Sequence, residues 1–499
     1  KRYPLFTNMT PFSSLIAQTQ RAFATRHGRK QFLNMLFLAF AFMLVLAPLP
    51  LGSNRMWSAS LLALWTNVLL LVFLAVWVWQ KQLVQTPMHG SLIAATLLLA
   101  LVVIWVLVQI SSWTPAAWHH PLWQEAERVL QQQGFREAAS GAIALDSGAA
   151  IEHLVRLLGY AAAFWLAYFL ALDRDRANIL LGIIIASGMI YAAYGFVMEA
   201  MNANLVLWYP KRAYIDNMTS TFFNRNSYAA YAGLGLLSAT AFVFQRWRQV
   251  WRTSMGQQVS SASVHYFFWS DFLTKLASWG LLPLALFTAL ILSASRAGFA
   301  SCMGGLVVLA VGMAINKRVR TGRLLLLVGS AAMLAIFLLT IGGQQLTARL
   351  NANTIAEDLP SRLNVYALTW ESIKANPWLG YGLGNFDAAF RLFRDTSVIG
   401  WFEEAHNDYL EMVMDLGFPA AMLWFAAIGL MVMRCVQGMW QRRRDGIFPV
   451  LALAVTAQEA LHSIFDFSLQ IPAVAMTYAA ILGMGVAQSW SSKELDAAR

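Results

Sequence analysis

The feature that most constrains this chain is a succession of apolar runs, each about 20 residues long, broken by charged or turn-forming stretches. A bilayer core about 30 Å thick is crossed by roughly 20 helical residues rising about 1.5 Å each, so every run is long enough to span it. About twelve such segments are predicted, near 32–51, 57–79, 91–110, 154–172, 178–200, 227–245, 276–295, 297–316, 324–342, 407–433, 447–465 and 471–488. The tenth carries Asp408, Glu411 and Asp415 in its first third, which places that third at or above the membrane surface. Only 12% of residues are charged and 58% are hydrophobic, so lipid is the main solvent. The fold class that follows is all-α, a polytopic transmembrane bundle, because a backbone in hydrocarbon must satisfy its own hydrogen bonds.

Net charge is +11, a balance that in a soluble protein would suggest nucleic acid. Here it is topological. With a cytoplasmic N-terminus, the loops 80–90, 173–177, 246–275, 317–323 and 434–446 and both termini hold most of the Lys and Arg residues, as the positive-inside rule requires. Three longer segments, 111–153, 201–226 and 343–405, fall on the other face and are the natural place for function. The chain divides into a cytoplasmic segment 1–31, helices 32–200 with the loop 111–153, a region 201–433 with the loop 343–405, and 434–499 with a basic loop, two last helices and a tail. No internal repeat or flexible linker marks a separable soluble domain. The first apolar run has no small-residue cleavage site after it, which argues against a secretory signal. Cys302 and Cys435 sit in apolar runs without metal-type spacing and read as packing residues.

Three polar constellations stand out. Ser293-Ala-Ser295-Arg296-Ala-Gly298 puts a cation into a nearly continuous apolar stretch, which demands compensation. Either an anionic group approaches Arg296 past its small neighbours, or the side chain snorkels to the interface or pairs with a loop carboxylate. Thr221-Phe-Phe-Asn224-Arg225-Asn226-Ser227 opens the sixth helix. Asn226 or Ser227 as its cap would leave a positive dipole end beside Arg225, an arrangement that attracts phosphate. Lys211 and Arg212, in the same loop, add charge or form a solvated pair. In the third, Arg362, Tyr366 and Trp370 share a helix face, a Gly380/Gly382/Gly384 turn follows, and Glu403-Glu-Ala-His406-Asn407-Asp408 starts the tenth helix. An imidazole with an ordinary pKa near 6.5 suits proton transfer at neutral pH, although a lone His at a helix start is also a common surface residue.

Taken together, residues 221–433 resemble the O-antigen ligase and polymerase superfamily. The resemblance rests on Phe223 to Asn226, Ser295 to Gly298, Arg362 with Trp370, the Pro377 to Gly384 turn, and His406-Asn407 followed by Gly417; the family commonly has Pro where this chain has Arg225. It implies a GT-C-like membrane glycosyltransferase with large periplasmic loops, in the bacterial inner membrane, both termini cytoplasmic. Its donor would be a glycan linked through diphosphate to undecaprenol, its acceptor a hydroxyl of lipid A core, another glycan or a protein, with no cofactor and no metal. The resemblance implies His406, Arg296 and Arg225 as catalytic residues, and Lys211, Arg212, Asn226, Arg362, Asn407 and Asp408 as substrate-binding residues. Two other readings are a solute carrier, for instance of bicarbonate, and a flippase of lipid-linked glycans. The carrier would show two similar halves with interrupted helices. The flippase would need cations along an internal cavity, and Arg156 alone is placed well inside a helix.

The charge count yields a test of sidedness. Cysteines introduced in 111–153 or 343–405 should react with an impermeant thiol reagent added to intact cells, and cysteines in 246–275 or 317–323 should not. Labelling of 317–323 from outside would invert the topology.

Overall fold

The computed structural model describes residues 25–80, 90–134, 141–256, 278–315, 352–398, 400–442 and 446–490. In chain order the helices are α1 (Arg26–Leu46), α2 (Met56–Trp79), α3 (Gly90–Gln109), α4 (Leu122–Gln132), α5 (Ser147–Leu170) and α6 (Arg174–Ala200). A small antiparallel hairpin follows, β1 (Leu205–Val206) and β2 (Tyr209–Pro210). Then come α7 (Arg225–Gly256), α8 (Ser278–Leu292), α9 (Arg296–Ile315), α10 (Ala352–Ala375), α11 (Phe386–Phe393), α12 (Asp408–Gln441), α13 (Ile447–His462) and α14 (Pro472–Ala487).

Of these, α1, α2, α3, α5, α6, α7, α9 and α12 are long and apolar enough to cross a membrane, and α8, α13 and α14 are shorter apolar helices. Each predicted span except 324–342 coincides with one of them. That segment lies outside the described residues, as do the 317–323 loop and most of 246–275. The chain is thus an all-α, multi-pass membrane protein. Many large apolar side chains of α2 and α3 face outward, Leu61, Leu64, Leu71 and Leu97 among them, as expected where lipid takes the place of a core.

One large apolar core joins α1, α2, α5–α9, α13 and α14 with the first turns of α3 and the second half of α12; a second joins the end of α3, the start of α5, α10, α11 and the first half of α12. Close helix contact is made possible by small residues. A Cβ on Gly483 of α14 would lie 2.3 Å from the Phe164 carbonyl of α5, so only glycine lets these backbones meet.

The helix α12 is kinked at Gly417 (φ 74°, ψ 160°), just before Pro419, which has no N–H to offer the carbonyl four residues back. The carbonyls freed by this break find other donors. Asp415 O accepts from Gln109 Nε2 (2.9 Å) and Gly382 N (2.9 Å), and Leu416 O accepts from Trp105 Nε1 (2.9 Å). Met414 O takes Tyr381 N (3.1 Å), and Phe418 N donates to Pro377 O (2.9 Å). The glycine-rich turn after α10 and the end of α3 therefore lock onto the kink. Segment 407–417, expected at or above the membrane surface, is enclosed by protein: Asp408, Glu411 and Asp415 are 7%, 2% and 2% exposed. They are buried in protein because this short helical limb is enclosed by α13 and the glycine turn, with Gly384 N donating to Asp415 Oδ2 at 2.5 Å.

The backbone of Gly417 lies in a region almost closed to other residues, and a Cβ there would stand 2.4 Å from the Trp378 carbonyl. Gly417→Ala should cost about 1–3 kcal/mol. The expected result is a clear drop in melting temperature of the detergent-purified protein, and an unchanged temperature would contradict the locked kink.

Candidate functional site

Three helices begin at one end of the bundle, and each is capped by a side chain. The α7 cap is Asn224, whose Oδ1 accepts from Asn226 N (2.8 Å). The α9 cap is Ser295, whose Oγ accepts from Gly298 N (3.1 Å). The α12 cap is Asn407, whose Oδ1 accepts from Tyr409 N and Leu410 N, both 3.1 Å. Ser, Thr, Asn and Asp suit this position because they replace a missing backbone acceptor. The expectation that Asn226 or Ser227 caps α7 is corrected, since it is Asn224 whose side chain accepts from a first-turn N–H, that of Asn226. Ala294 (φ 51°) and His406 (φ 52°) each precede a cap in a left-handed conformation that non-glycine residues rarely adopt.

Released from capping, the Asn226 amide joins two of these helix starts to a fourth segment. Its Oδ1 accepts from Ser295 Oγ (2.8 Å), and its Nδ2 donates to Asp466 Oδ2. Asp466 lies between α13 and α14 with no solvent exposure. The same oxygen stands 3.7 Å from Arg362 Nη2 and 3.7 Å from His406 Nδ1. Burial opposes the Asp466 charge most strongly, but His406, His462 and Arg362 outweigh it and hold this carboxyl far below the usual range. Its charge therefore persists through the whole neutral range, and its contribution is lost only in strong acid, as pH falls through the depressed folded value.

The surrounding contacts fix this arrangement. Arg362 also donates to Phe465 O. Tyr366 OH donates to His406 O (2.8 Å) and Ile464 O (3.2 Å), and Asn407 Nδ2 to Ile464 O (3.2 Å). Asp408 N donates to Ser463 O (3.0 Å), and Ser463 Oγ to Asp408 Oδ2 (2.6 Å). The His406 ring meets Phe467 edge-on at 4.8 Å and Phe402 at 5.8 Å. Its Nδ1 is buried and has no hydrogen-bond partner.

Asn226, Arg362, His406, Asn407 and Asp408 thus gather around the 463–467 segment. Arg296 is the first residue of α9, beside the serine that bonds Asn226. Arg225 is the first residue of α7; its guanidinium lies 5.0 Å from the Tyr214 ring, with Nε and Nη1 buried and unpartnered. Lys211 and Arg212 lie apart from the cluster. Lys211 donates to Asn217 O (2.8 Å) at a separate cleft, and Arg212 is exposed. Sequence reasoning missed Asp466. The signal was a lone carboxylate in the short connection Phe465-Asp466-Phe467 between two apolar helices, where a charge needs a reason.

Behind Asp408 and Ser463 a mostly apolar cavity of about 250 Å³ opens between α3, α5, α12, α13 and α14. Thr456, Glu459 and Ser463 form a polar stripe on the α13 face that lines it. Asp408 Oδ1, Glu459 Oε2, Tyr160 OH and Arg156 Nε on its walls are buried without a hydrogen-bond partner. Buried polar atoms without partners are costly, so these seek ligand or water.

If Asp466 ties these pieces together, its effects should not add to those of its partners. Asp466→Asn and Arg362→Gln, singly and combined, should show a coupling of about 1 kcal/mol in unfolding of the purified protein. Additive melting shifts would contradict the link.

Residues 281–425, from α8 to the middle of α12, match the family model described as O-Antigen ligase. No curated protein matches the chain. The matched region includes Arg296, Arg362, His406, Asn407 and Asp408, while Asn226 and Asp466 lie outside it. This region is therefore similar to the O-antigen ligase family, in keeping with the resemblance carried by Ser295 to Gly298, Arg362 and His406-Asn407.

Proposed function

We propose that the protein transfers a glycan from undecaprenyl diphosphate to an acceptor hydroxyl at the periplasmic face of the bacterial inner membrane. The observation that carries this reading is the meeting of three capped helix N-termini, two of them opened by Arg225 and Arg296, with a His406–Asp466 pair. A helix N-terminus keeps a positive dipole end even when capped, and arginines offer paired donors, so a diphosphate is the anion this end of the bundle suits. The apolar cavity beside Asp408 suits the first isoprenoid units of such a donor.

In this mechanism the acceptor oxygen attacks the anomeric carbon from the face opposite the diphosphate. The bond from that carbon to the phosphate oxygen breaks with inversion, and undecaprenyl diphosphate leaves. Arg296 and Arg225 offset the charge that grows on the leaving oxygen. His406 takes the acceptor proton through Nε2, and Asp466, near Nδ1, orients the ring and stabilises the imidazolium. Arg362 and Asn226 hold Asp466, and Asn407 and Asp408 hold the helix start that carries His406. Lys211 and Arg212 lie apart from these groups and take no part in the transfer step itself. The arginines carry the electrostatic work, so the reaction needs neither metal nor nucleotide sugar.

The test is transfer by purified protein, with chelator present, from the lipid-linked glycan to the acceptor. His406→Ala should reduce turnover by a factor on the order of 10² to 10⁴ while donor binding persists. Arg296→Lys should be poorly tolerated despite the retained charge, because an ammonium lacks the planar fork of donors. Turnover of His406→Ala at the wild-type rate would refute the base assignment, and no product with any acceptor would turn the reading toward transport.

A further inference from the structure

A second cleft opens at the base of the β1–β2 hairpin, apart from the Asp466 cluster. Its walls are the last turn of α6, the chain around Asn204, Lys211, and the segment 215–220. The hydrogen bond from Lys211 N to Asn204 O (2.9 Å) closes the hairpin above it. Its volume is about 170 Å³, below the roughly 300 Å³ at which drug-sized pockets begin, so it admits one small unit.

The lining is rich in alternating donors and acceptors. Glu199 and Asp216 accept, Asn202 and Asn204 can do both, and Lys211 has spent one of its three ammonium hydrogens on Asn217 O. Thr219 lines the floor at 1% exposure, and its Oγ1 has no hydrogen-bond partner. A hydroxyl sealed from solvent in that state is one for which the lining provides no protein partner. The two carboxylates disfavour a phosphate, the ammonium disfavours a metal cation, and the polar walls disfavour an alkyl chain. A neutral polyol, which donates and accepts at every hydroxyl, fits all three restrictions.

The cleft is continuous with the candidate site. Thr219 and Ser220 run directly into Thr221–Asn226, and from the hairpin Tyr209 faces the Phe223 ring at 6.5 Å. Met218 N is fixed to Leu292 O (3.0 Å), three residues before Ser295. A sugar held here would belong to a chain whose reacting end lies toward Asn226.

We infer that this cleft is a subsite for one neutral sugar residue, read by Thr219, Lys211 and the Asn202/Asn204 amides, which positions a glycan for the transfer site. The inference rests on the proposed transferase reading, since it supplies the glycan, but its recognition chemistry is separate from the reacting groups. The sugar is part of either the donor glycan or the acceptor, and the two sources are distinguished by the probe.

The experiment measures saturation transfer by NMR from the full-length protein in nanodiscs to two probes, the oligosaccharide released by mild acid from the lipid-linked donor and the deacylated lipopolysaccharide core. Wild type should bind one of them, and which one identifies the source. Thr219→Val and Lys211→Met should each weaken that binding roughly fivefold, the scale of one lost hydrogen bond. The valine variant removes a buried, unpartnered hydroxyl at almost constant shape, so it should melt no lower than wild type; Lys211→Met provides the independent variant. Absence of binding to both probes, or equal binding by wild type and both variants, would overturn the inference and leave a cleft filled by water. Thr219-dependent binding without transfer in any assay would sink the transferase reading alone. Transfer with binding indifferent to both substitutions would sink the subsite alone.

Discussion

An ionised carboxylate with no solvent exposure must be surrounded by donors and cations, or it will not stay ionised. Asp466 is such a group, and its partners come from α7, α10 and the start of α12, as far as 240 residues away in sequence. This one requirement explains why segments of unrelated position are polar and why they meet. Asn226 is turned from capping to bridging, Arg362 is drawn across from α10, and His406 is held with its Nδ1 toward the carboxylate. The fold brings His406 and a buried acid together at the junction where three helices start.

The kink at Gly417 is the second half of the same construction. A straight α12 would carry Asp408, Glu411 and Asp415 along a membrane-crossing axis. The break lets the first limb lie inside protein, while Gln109 and Trp105 of α3 and the turn after α10 satisfy the carbonyls it frees. That limb carries His406 at its head and Asp408 at the cavity wall. The same short helix therefore borders the ionic cluster on one side and an apolar chamber on the other, which is what a substrate with a charged head and a lipid tail requires.

Much of the fold was legible in the sequence because hydropathy at a fixed length is a strong signal. The spans near 57–79, 91–110 and 297–316 fall within a residue or two of α2, α3 and α9. The burial of the limb 408–416 was not legible, because its three carboxylates look solvent-facing in one dimension and only the partners contributed by α3, α13 and the glycine turn enclose them. The site was legible in part. Arg296 and His406 stood out as charge or imidazole at a helix start. The cap of α7 was misassigned by two to three residues, since Asn224 and Asn226 are equally good caps by type. Asp466 was invisible to motif reasoning, because its meaning lies in contacts to residues 60 to 240 positions away.

The central claim is that Arg296, Arg225 and the His406–Asp466 pair surround one lipid-linked diphosphate. The most direct measurement is a cryo-EM structure of the His406→Ala protein in nanodiscs with the undecaprenyl-diphosphate glycan bound. The account predicts diphosphate density within hydrogen-bond reach of both arginines, with the first sugar directed toward Asp466 and the position vacated by the imidazole. Diphosphate bound elsewhere, or an Arg296 side chain turned into the surrounding lipid, would contradict it.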